Sequence, residues 1–525
     1  MYGGERTLGA LLAARAAETP AREIVRFEQE TVTFGALDEA ANRVANALRS
    51  LGLAKGDKAA IMLGNRPEFL AVWFGMAKAG IVEVPLNTGL RGDLLAYMLN
   101  TSECRLLVVD AQWLDRIEKI TPRLGTLRTL VVVGDGGLAG IDCLPYGQLL
   151  AAEAAPPDVE VTRWDPSVIL FTSGTTGPSK GAVLSHNSHF RQAENVCELM
   201  AYEEDEVLFN MFPLYHVNAK YTSVMPAMCL DRAMCVLHDR FSASRFWDIC
   251  RAENVTAFNF MGALVMMLFK QPERDDDADN PVRCAYGAPA PVAILERFEE
   301  RFGVELIEVY GSTELGACLQ NTRGRRRIGS CGREAPHYAV EIHDEHDNPV
   351  PPGVEGEIVV RPREPHIMVE EYVAAPEATV VAFRNLWFHT GDRGKLDEEG
   401  WFTYLDRLKD SIRRRGENIS SWEVEQVLND HDAIEETAIV GVPSELTEEE
   451  VLAVVKLKDR RGLPPEQLLD FCQERLPHFA VPRYVRYVAE LPKTHAQRIQ
   501  KYLLREQGVT ADTWDREQHG YVVSR

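Results

Sequence analysis

Apolar residues recur at helical spacing through Leu8 to Leu51, broken by a strand-like piece at Thr31 to Phe34, and the pattern runs out at Gly52-Leu53 ahead of Lys55-Gly56-Asp57. Short, near-continuous apolar runs then alternate with helical stretches. Lys58 to Leu63, Ile81 to Leu86, Cys104 to Val109 and Thr129 to Val133 read as buried strands, with Glu68 to Lys78 a helix between the first two. Such alternation predicts an α/β fold of parallel sheets covered by helices. From Val340 the texture changes to short strands with polar turns, Ala339 to His343, Gly356 to Arg361 and Gly400 to Leu405, which predicts a small β-rich subdomain over about 340–406. Beyond Asp406 the charge density rises through Arg407, Lys409, Asp410, Arg413, Arg414 and Arg415, and a new α+β pattern begins at Ser420. The expected division is a large N-terminal domain over 1–406 and a small α+β C-terminal domain over 410–525.

The length of 525 residues is itself too great for one hydrophobic core. With 45% hydrophobic and 26% charged residues the chain has the composition of an ordinary soluble protein, and its mean hydropathy is -0.20. Stretches such as Val255 to Leu268 are too short or too interrupted to cross a bilayer, and no basic segment followed by an apolar one opens the chain, so a cytoplasmic enzyme is expected. The net charge of -22 argues against binding nucleic acid or an anionic membrane. The ten cysteines are scattered, without a CxxC pair or a Cys/His cluster, and read as reduced thiols. The acidic run Asp275 to Asp279 reads as a solvated loop.

The most informative segment is Thr172-Ser173-Gly174-Thr175-Thr176-Gly177-Pro178-Ser179-Lys180-Gly181, directly after the apolar strand Val168 to Phe171. Glycines let backbone amides approach phosphate oxygens, hydroxyls add hydrogen bonds, and Lys180 supplies a cation. This composition makes it a phosphate loop. It is not a Walker A loop, because Gly181 follows the lysine where Ser or Thr would hold magnesium.

The segment resembles the signature of the adenylate-forming superfamily of acyl-CoA synthetases, luciferases and peptide-synthetase adenylation domains, and the resemblance extends along nearly the whole chain. Within it the texture of Arg415 to Ser420 and Phe241 to Trp247 resembles the crotonobetaine/carnitine-CoA ligase-like group. The resemblance implies ATP, Mg2+ and coenzyme A acting on a small-molecule carboxylic acid; a homodimer is left open. In Tyr310-Gly311-Ser312-Thr313-Glu314 it implies Tyr310 beside adenine, Thr313 on the α-phosphate and Glu314 on magnesium. In Trp387 to Asp392 it implies the Asp392 carboxylate on the ribose. Gly287, Ala288 and Pro289 would line the adenine and acyl pocket, although a plain helix-entry turn reads the same way. His216 falls at an aromatic gate to the acyl site; a satisfied core histidine is the alternative. Arg407 would reach the ribose and Lys409 would pivot a 407–409 hinge, since two chemical steps around one acyl centre need two faces of a swinging domain. Arg415, Gly416 and Glu417 match the segment presented for thiolation; the arginines over 413–415 could equally be a solvated basic face.

One departure stands out: where most relatives carry Gly-Lys, this chain has Gln497-Arg498. Arg498 keeps the charge but is longer, planar and bidentate. It could act itself, be replaced by Lys501 or Lys493, or leave adenylation slow. An apolar wall from Phe258 to Leu268, including Phe260 and Gly262, suggests an aliphatic or ring-bearing acid, with Lys220 expected to face an anionic or polar group on it. The implied reaction is adenylation followed by transfer to coenzyme A; loading of a carrier protein or amine, or a turnover-weak acyl-adenylate binder, are the alternatives.

Overall fold

The computed structural model describes residues 2–28, 30–172, 179–292, 294–407, 411–444, 448–458, 462–493 and 499–524. The protein is a mixed α/β structure with a large N-terminal domain and a smaller C-terminal domain. Among the described residues, Lys58–Met62 lies at the heart of an eight-stranded sheet, pairing in parallel with Val82–Pro85 and Leu106–Asp110, and Thr129–Val133 adds beyond the latter. A nine-stranded sheet is built around Val207–Asn210, Ala257–Phe260, Cys284–Gly287 and Glu305–Ser312, all in parallel.

Parallel order fails at the margins. Pro166–Thr172 and Lys180–Ser185 form an antiparallel pair, and Glu305–Ser312 pairs antiparallel with Gly316–Gln320. These two pairs join strands close in sequence, and parallel strands need a long crossover that a short connection cannot supply.

The helix Pro67–Ala79 shows how the sheets are held together. Proline occupies its first turn, Gly80 closes it in the left-handed conformation, and every residue from Phe69 to Ala79 is buried. A helix apolar all round belongs between layers rather than on a surface. It packs with Phe34–Ser50, whose N-cap Thr33 accepts a hydrogen bond from the Ala36 amide at 3.2 Å. The strand-like piece expected at Thr31 to Phe34 is the second half of a hairpin, Glu23–Phe27 with Glu30–Thr33.

A four-stranded sheet of Tyr338–His343, Glu355–Pro362, Phe388–Leu396 and Phe402–Arg407 follows. The C-terminal domain opens with the hairpin Ser411–Arg414 and Glu417–Ser420, continues into helix Ser421–Asn429, and carries a second four-stranded sheet headed by Ile434–Pro443 and Glu449–Leu457. Among the described residues no helix is long and apolar enough to cross a membrane.

Candidate active site

The hairpin of Pro166–Thr172 and Lys180–Ser185 sets Thr172 opposite Lys180. The turn residues Ser173, Gly174, Thr175, Thr176 and Gly177, like Lys409, Arg498 and the side chain of Arg407, lie outside the described residues. The frame of the turn is defined. The Thr172 hydroxyl and the Tyr372 hydroxyl both donate to Oε1 of Glu314, each at 3.1 Å. The Lys180 ammonium stands 5.0 Å from the centre of the Tyr372 ring. Hydroxyl, carboxylate and cation therefore meet at the mouth of the hairpin.

Glu314 is delivered by the end of strand Glu305–Ser312. A Cβ at Gly311 would stand 1.9 Å from the Gly316 carbonyl oxygen, so the antiparallel partner can approach only a glycine. On the facing wall Asp392 is buried and accepts from the Tyr310 hydroxyl at 2.6 Å. The Gly391 amide donates to Glu357 at 2.9 Å, and His389 Nδ1 lies 2.8 Å from the same carboxylate. Burial pushes the Glu357 carboxyl up, but the bonds from His389 and Gly391 outweigh it and hold the group below its usual range.

A cavity of about 680 Å³ runs between the two domains. One end is lined by Thr172, Lys180, Gly311, Ser312, Thr313 and Glu314, and the side walls by Gly287, Ala288 and Asp392. Towards the other end His216 and Phe260 meet Gly416 and Glu417 from the C-terminal domain. His216 Nε2 is 3.2 Å from Glu417 Oε2. Burial raises the Glu417 carboxyl, yet the His216 ring and the Asn87 side chain hold it below its usual range. At Gly416 the backbone has φ +86, and a Cβ would stand 2.4 Å from Met261 Cε.

Several expected lining residues lie elsewhere. Lys220 is fully buried and paired with Glu83, its ammonium 4.6 Å from the Trp73 ring centre. Burial pulls this ammonium down to about 8 against the opposing pull of Glu83. Asn218 and Thr222 do line the cavity; four apart, they share a helix face, and Lys220 between them points the other way. Tyr310 is buried behind the wall, its hydroxyl on Asp392 and its ring 6.0 Å from that of Tyr404, so it does not border the cavity. Gly262 packs beneath Pro289, and neither lines the cavity. Arg415 is exposed, with its guanidinium 3.7 Å from Glu450 and Glu517.

A family model described as AMP-binding enzyme matches residues 12–370, and one described as AMP-binding enzyme C-terminal domain matches residues 423–498. The chain belongs to the AMP-binding enzyme family. It is 32% identical over 477 residues to the crotonobetaine/carnitine–CoA ligase of Salmonella choleraesuis, a match covering 89% of this chain and 92% of the relative. Its fold is similar to a double mutant of the o-succinylbenzoate CoA synthetase of Bacillus subtilis bound with its product analogue, with TM-score 0.84, 26% identity, and 96% and 99% of the two chains covered. It is also similar to ATP-bound MatB from Rhodopseudomonas palustris, with TM-score 0.70, 26% identity, and 96% and 99% covered.

Three participants in this AMP-binding enzyme escaped sequence reasoning. Glu423 reaches from the C-terminal domain to accept from the Ser179 amide at 2.6 Å; the pattern Ser420-x-x-Glu423 before an apolar run is the signal that marks it as a helix-start carboxylate. Tyr372 and Glu357 carry no local signal, since each acts through a strand brought in from far along the chain. Among the described residues no group of three or more His, Cys, Asp and Glu is placed to hold a metal ion. The Glu314 carboxylate could nonetheless take part in holding Mg2+, which takes one or two carboxylates together with substrate phosphates.

Proposed function

We propose that this AMP-binding enzyme activates a carboxylic acid with ATP, releasing pyrophosphate, and then transfers the acyl group from the adenylate to coenzyme A. The observation that supports it most is the convergence, around one interdomain cavity, of Thr172, Lys180 and Glu314 at one end and the Gly416-Glu417 turn against His216 at the other.

In the first step a carboxylate oxygen of the substrate attacks the α-phosphorus in line, and pyrophosphate leaves with the bonding electrons. Two anions must approach one another, so catalysis is a matter of fixed positive charge and hydrogen-bond donors. Lys180 and the Thr172 and Thr313 hydroxyls supply these, and Asp392 anchors the ribose. Glu314 would hold Mg2+, which when bound neutralises phosphate charge.

In the second step the coenzyme A sulfur, having lost its proton, attacks the acyl carbonyl, and AMP leaves. The turn at Gly416 brings the C-terminal backbone against Met261 with no side chain between them, so that glycine and the adjoining Glu417 form the C-terminal domain's face of the cavity. The closer overlay on the synthetase bound with its product analogue than on ATP-bound MatB, at equal identity, supports a C-terminal domain set for this step, with the pivot over 407–409. The relatives' names as CoA ligases support the same acceptor.

Pyrophosphate release from ATP, Mg2+ and a panel of acids, measured with and without coenzyme A, tests the reading. Acid-dependent release, with acyl-CoA and AMP accumulating only when the thiol is present, is expected. Release that never yields a coenzyme A thioester overturns the acceptor, and no release with any acid overturns adenylation.

A further inference from the structure

The wall of the cavity holds hydrogen-bonding capacity that the protein does not use. Gln192, on helix His186–Leu199, is 7% exposed and lines the cavity, yet its Nε2 is buried with no hydrogen-bond partner. Its stem is pinned, because Gly316 approaches so closely that a Cβ there would stand 2.7 Å from Gln192 Cγ. A buried donor left unpaired is costly, and native structures keep few of them without a ligand to satisfy them.

Asn218 offers a second carboxamide. Its Oδ1 accepts from Asn259 Nδ2 at 2.9 Å and from Thr222 Oγ1 at 3.1 Å, which commits the oxygen and leaves the Nδ2 end of this cavity-lining amide as the part with donors to offer. Val196, Val309 and Ala317 add apolar surface to the same cavity. Lys220, which could have matched a second carboxylate, is withdrawn to Glu83. Amide donors would meet a quaternary ammonium group with the positive ends of their dipoles, the wrong sign for attraction.

We propose that the cavity selects acids whose apolar body carries an uncharged hydrogen-bond acceptor, such as a ketone or amide carbonyl, held by the Gln192 and Asn218 amides. The proposal rests on the adenylation reading above. It makes Gln192 a specificity residue, because a site built around a polar group discriminates against the analogue that lacks it far more strongly than an apolar pocket discriminates by size.

The test measures kcat/KM for pyrophosphate release with an oxo acid, the plain acid of the same carbon skeleton, a trimethylammonium acid and a dicarboxylic acid. The unaltered enzyme is expected to favour the oxo acid over its plain partner at least about tenfold, the value of one good hydrogen bond in a buried site. Gln192→Leu and Gln192→Met, each checked for folding by its melting temperature, are expected to bring that ratio to within about twofold. Preference for any of the other three acids, or a ratio that survives both substitutions, overturns the proposal. If no acid supports release, the oxo and plain pair presented as acyl-sulfamoyl adenosines decides by Kd. A difference that depends on Gln192 upholds the acyl preference while the adenylation reading falls, and equal Kd values overturn the preference.

Discussion

The Glu423 carboxylate accepts a hydrogen bond from the Ser179 amide at 2.6 Å, tying the first turn of helix Ser421–Asn429 to the exit of the phosphate loop. Ser420 caps that helix, and a glutamate three residues later ordinarily turns back to the cap's own amide. Here it crosses to the other domain instead. An amide beside the loop is a natural phosphate donor, so the carboxylate and a nucleotide phosphate compete for it. On the proposed two-step reaction, the contact would form once the phosphates have gone and would hold the C-terminal domain in place for thiolation. Glu423→Ala is expected to slow thioester formation from preformed acyl adenylate by about tenfold, the worth of one charge-assisted hydrogen bond, with pyrophosphate release changed much less. Single-turnover assays of the two half-reactions check this; equal slowing of both would remove the role.

Gly416 makes the same division of labour testable from a second position. Its φ of +86 disfavours any other residue, while the Met261 methyl that a Cβ would strike is the end of a flexible side chain and can swing aside. Gly416→Ala therefore carries mainly backbone strain, expected to slow thiolation by about tenfold through a penalty of about 1–2 kcal/mol. Gly416→Val adds bulk that Met261 cannot clear, and a further drop is expected. Pairing Gly416→Val with Met261→Ala should recover part of the second loss but none of the first, a pattern that a double-mutant cycle on the thiolation rate resolves.

Lys220 and Glu83 form a buried pair whose value lies in holding both partners together. Removing one leaves an uncompensated polar group in the core, so Lys220→Met is expected to destabilise the fold by about 3 kcal/mol. Lys220→Met combined with Glu83→Leu should restore most of that, because an apolar pair of similar size carries no desolvation cost. Urea unfolding of the two variants decides between them.

The sequence exposed what is contiguous and buried on both sides. Thr129–Val133 appears as an apolar run because helices cover both faces of its sheet, and Pro67–Ala79 is apolar all round because it lies between sheets. The first hairpin strand, Glu23–Phe27, is only partly buried and gave no comparable run. The motifs around Thr172, Glu314 and Asp392 could be read because each is a continuous stretch. Lys220 lies away from the cavity because a residue's place in a lining segment does not fix its helical phase, which the spacing of Asn218 and Thr222 does. Tyr310 turned from the cavity because Asp392, far along the chain, offers its hydroxyl a partner. Contacts such as Glu423 with Ser179 arise only from the docking of two domains, which no local pattern encodes.

Two buried histidines predict how the fold responds to acid. His186 accepts from the Leu8 amide at 3.3 Å through Nδ1, and His189 bonds Ser167 and stacks on Tyr221 at 4.1 Å. Burial lowers the His186 imidazole from 6.5 to about 4 and depresses His189 well below its ordinary value. In the unfolded chain both take up a proton near pH 6.5, whereas the folded protein holds them neutral, so the unfolded state binds more protons throughout the interval from pH 6.5 to about 4. Stability therefore falls as pH drops through that interval, by about 2 kcal/mol per histidine at pH 5. Above pH 7 neither group contributes a slope, since both states are neutral there. Urea midpoints at pH 7.5, 6.5, 5.8 and 5 should thus fall slightly between the first pair, by about 0.4 kcal/mol per histidine, and steeply across the rest, using conditions spaced about the ordinary histidine value. His189→Asn, which keeps a polar partner for Ser167 but cannot titrate, should remove about half of the fall. An unchanged fall would place its origin elsewhere.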